Sequence, residues 1–213
     1  MGRSDSPRAL RNRTRIAQAA ARLIAEHGLT DWALAKRKAC RELGLPAHES
    51  LPGNEEVEQA LRDYNSLFRG ETQPVSLRAQ RSDALHWMER LSRWDPVLTG
   101  AVAAGWATEH SEVRLELEAE DAKAVELALI NDGIDYAQLP APGGDAPPQL
   151  RIESAGATVR LVILSPQQRR NRPRRERSGG AEERLTMNQL RELLTAPDGA
   201  SGAATPPQIA QNR

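Results

Sequence analysis

Cysteine is nearly absent: Cys40 is the single one in 213 residues, which excludes an intrachain disulfide framework and a cysteine-built zinc site and fits a reducing compartment. Aromatic side chains are scarce at 3%. The core must therefore be packed with small and aliphatic residues, a composition that favours helices. Net charge is absent too, because 29 basic and 29 acidic residues cancel, and no global field draws the chain to nucleic acid or to a membrane. No run of about 18 apolar residues could span a bilayer, and MGRSDSPRALRNRTR holds no apolar core of signal-peptide length. The expectation is a soluble, cytoplasmic protein with no membrane partner. At 39% hydrophobic residues it has one sizeable core with at most a small helical module beside it.

The first half is patterned for helices. RTRIAQAAARLIAEHGL places Ile16, Ala19, Ala20, Leu23 and Ile24 on one face and Gly28 at the C-terminal cap. TDWALAKRKACRELGLP has Thr30 or Asp31 as a cap, an inward stripe of Leu34, Ala35, Ala39 and Leu43, and a basic outer face of Lys36, Arg37, Lys38 and Arg41. In LPGNEEVEQALRDYNSLF, Asn54 is the expected N-cap, Glu55 and Glu56 favour the helix dipole, and Val57, Leu61, Tyr64, Leu67 and Phe68 are the expected buried stripe. After a break from Gly70 to Pro74, a helix over 76–94 turns Leu77, Leu85, Met88 and Leu91 inward, with Trp87 nearby, and Asp95 and Pro96 close it.

The periodicity then changes. Residues 97–104 read as a short buried strand, and 112–118, Glu-Val-Arg-Leu-Glu-Leu-Glu, alternate as a strand with Val113, Leu115 and Leu117 in the core. A helix over 122–131 ends near Gly133, IDYAQL is a further strand, and after the loop PAPGGDAPP a hairpin joins QLRIES to TVRLVIL through Ala155 and Gly156. Few helical crossovers are on hand to link parallel strands, so the sheet is expected to be antiparallel or mixed. PQQRRNRPRRERSGG is expected to bury nothing and to be mobile, LTMNQLRELL to fold back as a helix, and the last 18 residues to form a disordered tail. The division is a helical region over 1–96, an α/β unit over 97–166, and an Arg-rich arm, short helix and tail over 167–213: an α+β chain.

GWATEHSEVRLEL, starting at Gly105, carries the main chemical signal. It resembles the strand-turn-strand on which nucleotidyltransferases mount metal-binding acids. Carboxylates two residues apart on a strand share a face and, with a third acid from a neighbouring strand, hold Mg²⁺ against nucleotide phosphates. Here Glu112 stands at the first position and Arg114 at the second, while Arg160 occupies the place on the later strand where a third acid belongs. Arginine cannot ligate Mg²⁺. Trp106 also stands where a small Ser or Thr would let backbone amides approach phosphate. No metal or other cofactor is expected, Mg²⁺ entering only if the enzyme is active. The nucleotide-binding candidates are Gly105, His110, Ser111 and Glu112. Glu116 and Glu118 share the polar face, which is expected to be solvated and partly self-neutralising. His110 and Ser111, adjacent on an extended segment, point apart and are expected to stabilise the turn. His27 caps a helix, and Cys40 is a small buried hydrophobe.

Lys36, Arg37, Lys38 and Arg41, together with Arg172, Arg174 and Arg175 in the arm, are the candidates for contacting nucleic-acid phosphates. Against that reading, a solubilising helix face and a charged linker account for the same residues, and no aromatics interleave with them. RIAQAAARLIAEHGL resembles the opening helix of tetracycline-repressor-type regulators. More broadly, AKRKACRELGLP, LPGNEEVEQALRDYNSLF, Gly105 with Ala107, His110, Ser111, Val113 and Leu115, and VRLVILSP resemble a family of uncharacterised proteobacterial proteins with a nucleotidyltransferase-like domain behind a helical N-terminal region. This implies a bacterial, nucleotidyltransferase-like fold with a small mixed or antiparallel sheet. The expected function is that of a catalytically degenerate module, a pseudoenzyme, binding a nucleotide, nucleic acid or protein partner. The alternatives are a DNA-binding regulator using the first helices and an active, divergent nucleotidyltransferase.

Overall fold

The computed structural model describes residues 7–29, 31–46, 50–140, 146–171 and 184–195. The chain opens with three helices, α1 (Pro7–His27), α2 (Trp32–Glu42) and α3 (Asn54–Phe68). On α1 half of the buried residues are alanine, with Ala17, Ala20, Ala21 and Ala25 beside Asn12, Ile16, Leu23 and Ile24. Small side chains let α2 and α3 close in on it, since interhelix distance is set by the residues at the contact. Gly28 ends α1 in the left-handed region at φ 63°, and Asp31 caps α2 by accepting from the Leu34 amide at 3.0 Å.

Two details of this bundle depart from the sequence pattern. The N-cap of α3 is Gly53, whose amide donates to the Glu56 carboxylate at 2.7 Å, and Asn54 instead accepts from Lys36 Nζ at 2.9 Å. The inward face of α3 runs through Val57, Glu58, Leu61 and Asn65. This leaves Leu67 and Phe68 75% and 70% exposed and Leu34 of α2 exposed as well. Rotation accounts for Leu67, because Asn65 turns inward to reach a loop carbonyl and the line from Leu61 through Asn65 carries Leu67 to the far side; Phe68 shares the face of Leu61 and Asn65 but is the last residue of the helix.

Glu56 also ties α3 to α1 through Arg13 at 2.7 Å. Burial pushes its pKa up, but the Arg13 hydrogen bond, the Gly53 amide and the charges of Arg13 and Lys36 outweigh it, so the carboxyl titrates below its ordinary 4.5. A carboxylate depressed in the fold adds stability above its unfolded pKa and loses it as pH falls through the folded one. Glu56→Gln is expected to cost up to about 1 kcal/mol at neutral pH, since the pair is part-exposed. Urea titrations repeated below pH 4.5 should show the gap to wild type closing; a gap independent of pH would contradict the assignment.

Next comes α4 (Thr72–Arg90), which takes Pro74 into its first turn, where the missing N–H has no intrahelical partner to lose. The remainder is β1 (Val97–Thr99), α5 (Ala101–Ala104), β2 (Val113–Glu118), α6 (Ala122–Asn131), β3 (Ala137–Leu139), β4 (Gln149–Glu153), β5 (Thr158–Leu164), α7 (Pro166–Arg170), β6 (Arg184–Leu185) and α8 (Met187–Thr195). The molecule is thus α+β, with helices first and then a six-stranded mixed sheet in the order β3-β4-β5-β2-β1-β6. Only the central β2 and β5 run parallel. Val113, Leu115 and Leu117 of β2 and Val159, Leu161 and Ile163 of β5 bury one face in a single cluster with Ala84, Trp87 and Met88 of α4.

The expected strand over 97–104 breaks at Gly100, beyond which Ala101–Ala104 is helical. The Arg-rich stretch, expected to bury nothing, begins as a helix with no fully buried residue. Ser165 and Gln168 form a capping box, Pro166 opens the helix, and the Arg169 side chain of α7 is only 16% exposed. The last helix does fold back, Arg78 donating to the Leu194 carbonyl at 2.6 Å and Arg191 pairing with Glu89 at 2.8 Å. Among the described residues no helix is long and apolar enough to cross a membrane.

Candidate ligand-binding cleft

Two left-handed glycines shape the segment between β1 and β2. Gly100 (φ 76°, ψ −152°) turns the chain out of β1 into α5, and Gly105 (φ 84°) turns it out again. Both conformations are strained for any L side chain. The loop that follows is held from behind by side-chain donors of α3 and α4. Asn65 donates to the Trp106 carbonyl at 3.2 Å, Gln73 to those of Gly105 and Ala107 at 3.1 and 3.2 Å, and Gln80 to those of Thr108 and Ser111 at 2.8 and 3.2 Å. Arg81 donates to the Val102 and Ala103 carbonyls at 3.1 and 3.3 Å, and burial lowers its pKa. Within the loop, Ser111 Oγ accepts from the Thr108 amide at 2.9 Å. These four helix residues escaped the sequence reading. The signal that exposes two of them is a polar residue on an apolar stripe: Gln80 between Leu77 and Ala84, and Asn65 four residues beyond Leu61.

The other side of the loop faces a cleft of about 270 Å³. Ile24 of α1, Leu29 of the connection and Trp32 of α2 stand on one wall and Trp106, His110 and Ser111 on another, and Gly100, Glu112, Arg114 and Arg160 are also part of the lining. Gly105 itself packs against Arg81 rather than in the cleft lining. Trp106, placed where a smaller residue was looked for, packs edge-on against Trp32 with ring centroids 5.3 Å apart and so joins the helical bundle to the sheet unit. His110 lies over Gly28, close enough that a β-carbon there would sit 2.9 Å from its ring. Ser111 and His110 hold the turn through Thr108, and no bond joins the two side chains among the described residues.

Acids and arginines interlock on the polar face of the sheet. Glu112 receives Arg160 Nε and Nη2, both at 2.7 Å, and Glu118 lies 3.3 Å from Arg169. Glu116 pairs with Arg184 at 2.9 Å while its side chain is only 3% exposed. The face is therefore not the solvated, self-neutralising strand expected. Neighbouring strands are about 4.8 Å apart, closer than i and i+2 on one strand, so arginines from β5, β6 and α7 take the acids and Arg114 does not. Arg114 stands in register with Arg160 on one side and Thr99 on the other. Burial lowers its pKa and so does Arg160, with Glu112 acting the other way.

The Mg²⁺ that the sequence resemblance to nucleotidyltransferases implies does not fit these residues. Arginine occupies two of the three ligand positions, Glu112 is taken by Arg160, and among the described residues no three His, Cys, Asp or Glu side chains converge as ligands. Of the other sequence candidates, Lys36 is used inside the fold, donating to the Pro52 carbonyl at 3.1 Å as well as to Asn54. Arg37 and Arg41 are exposed on α2 and Lys38 is half-buried. Arg172, Arg174 and Arg175 lie outside the described residues. Cys40 is buried, with its thiol 3.5 Å from the Pro46 carbonyl.

No family model and no curated protein sequence matches the chain. Solved structures that it matches include Cid1 in complex with the UTP analogue UMPNPP, at 13% identity and a TM-score of 0.32 over 50% of this chain and 36% of that one. A cytoplasmic RNA terminal U-transferase aligns at 18% identity and a TM-score of 0.26 over 60% of this chain and 34% of the other. The chain thus spans about a third of the length of these proteins. The UTP analogue and the U-transferase activity belong to them, and a likeness this partial carries no argument about ligand or chemistry.

Proposed function

We propose that this chain is a nucleotidyltransferase-like binding module that takes a nucleotide in the cleft between its helical bundle and its sheet and performs no nucleotidyl transfer. The framework in favour is internal to the chain. β1 and β2 are antiparallel around a glycine-flanked helical turn, and β5 runs parallel beside β2, so positions 112, 114 and 160 come together as a carboxylate triad would. The observation that carries the reading is Arg114 next to Arg160 in register: the support for two-metal chemistry is replaced by positive charge. A cationic floor beside an apolar wall suits an anion that carries a ring.

Calorimetric titration with ribonucleotides is expected to give saturable binding, and incubation with labelled nucleoside triphosphate, Mg²⁺ and an RNA or protein acceptor to give no labelled product. Mg²⁺-dependent transfer that disappears in Glu112→Gln would overturn the proposal in favour of an active, divergent enzyme. Duplex-DNA binding by α2 has less support, since Lys36 of its basic run is committed to Pro52 and Asn54.

A further inference from the structure

We propose that Arg114 is the anion anchor of the cleft: its guanidinium binds a phosphate group of the ligand directly, in the place a divalent cation would occupy, so that binding needs no metal. This rests on the nucleotide reading for the identity of the ligand, and on the geometry alone for the site. Three observations meet at this residue. Its neighbours on the polar face are satisfied, Arg160 by Glu112 at 2.7 Å, Arg184 by Glu116 at 2.9 Å and Arg169 by Asp95 at 2.6 Å and Glu118 at 3.3 Å. The Arg114 guanidinium, by contrast, makes no hydrogen bond or ion pair among the described residues, although its carbonyl accepts from Thr99 Oγ1 at 3.4 Å. It is half-buried in the cleft lining with a second arginine in register beside it. Its stem runs past Gly100, whose missing β-carbon would lie 4.0 Å from Arg114 Cδ.

A part-desolvated cation costs stability unless an anion bonds to it directly; burial and Arg160 lower its pKa by more than Glu112, which is bonded to Arg160, raises it. The fork of donors on a guanidinium matches a phosphate bidentately, which a point charge cannot do. At about 270 Å³ the cleft is below the usual range for drug-sized ligands. It therefore suits a nucleoside monophosphate better than a triphosphate, the base lying against the Trp106, Ile24 and Leu29 side.

The test titrates wild type, Arg114→Gln and Arg114→Lys with the four ribonucleoside monophosphates, the parent nucleosides and inorganic pyrophosphate, each with Mg²⁺ and with EDTA, and records melting curves without ligand. Expected are nucleotide and pyrophosphate binding indifferent to EDTA, a loss of roughly ten- to hundred-fold in Arg114→Gln for the phosphorylated ligands only, and a smaller loss in Arg114→Lys. The melting temperature of Arg114→Gln should equal or exceed that of wild type, because a costly unpaired charge has gone; failure of this variant to fold contradicts the proposal. If nucleotides bind but require Mg²⁺, or bind Arg114→Gln as well as wild type, the anchor is wrong while the nucleotide reading stands. If pyrophosphate binds through Arg114 and no nucleotide does, the anchor stands and the nucleotide reading falls. Binding of neither overturns both.

Discussion

Gly28→Val is expected to destabilise the protein by roughly 2–4 kcal/mol, through strain at a left-handed position and overpacking of a close contact. Both terms have a structural source. At φ 63° a β-branched residue is held in a conformation that L side chains rarely adopt, and its β-carbon would meet three atoms of His110 at 2.9–3.1 Å. The His110 side chain is 45% exposed, so the ring can swing outward and relieve part of the clash, but no movement of His110 relieves the backbone. Urea denaturation of Gly28→Val, His110→Ala and the double variant separates the two. Removing the ring should return about 1 kcal/mol of the loss as coupling between the sites and leave the backbone strain in place. Additive effects would mean that the end of α1 does not rest on the turn that carries His110, and that the bundle wall of the cleft is held elsewhere.

The helices were legible wherever apolar residues kept a 3.6-residue period with a glycine or a capping acid at the end, as in α1 with Gly28 and α2 with Asp31. The pattern failed where a tertiary hydrogen bond outweighed it. Asn65 reaches the Trp106 carbonyl from a buried position, and Leu67 stays outside as a result. Val-Leu-Thr-Gly-Ala-Val-Ala-Ala fits a buried strand and a buried helix equally; the left-handed Gly100 divides it, and a glycine's φ cannot be read from composition.

The residue types of the candidate site were also visible in advance, including the arginines at 114 and 160, but their partners were not. The parallel register that sets Arg160 beside Arg114 spans an intervening helix and two strands. The pairing of Glu116 with Arg184 depends on a two-residue strand from the far end of the chain. Contacts that close such long loops leave no local periodicity behind.

Gln80→Leu is expected to cost roughly 2–3 kcal/mol, the cost of leaving one buried and one half-buried carbonyl without a donor. Leucine fits the surrounding stripe of Leu77 and Ala84, so packing alone forecasts a neutral or favourable change. The difference lies in the carbonyls of Thr108 and Ser111, which Gln80 Nε2 meets at 2.8 and 3.2 Å. Thr108 is buried, so water cannot replace the donor there, whereas Ser111 is half-buried and can recover some solvation. Urea denaturation at neutral pH measures the loss; a cost below about 0.5 kcal/mol, the level of an ordinary surface substitution, would show that the loop does not depend on this donor. Gln80→Glu sharpens the point. An ionised carboxylate set against two carbonyl oxygens repels them, whereas the protonated acid can donate to one, so the folded state should raise the glutamate's pKa. Stability from such a group is present below its unfolded pKa and lost as pH rises through the folded value, and the variant should therefore grow more stable relative to wild type on acidification, whereas the Glu56 carboxyl's own contribution is lost in that direction.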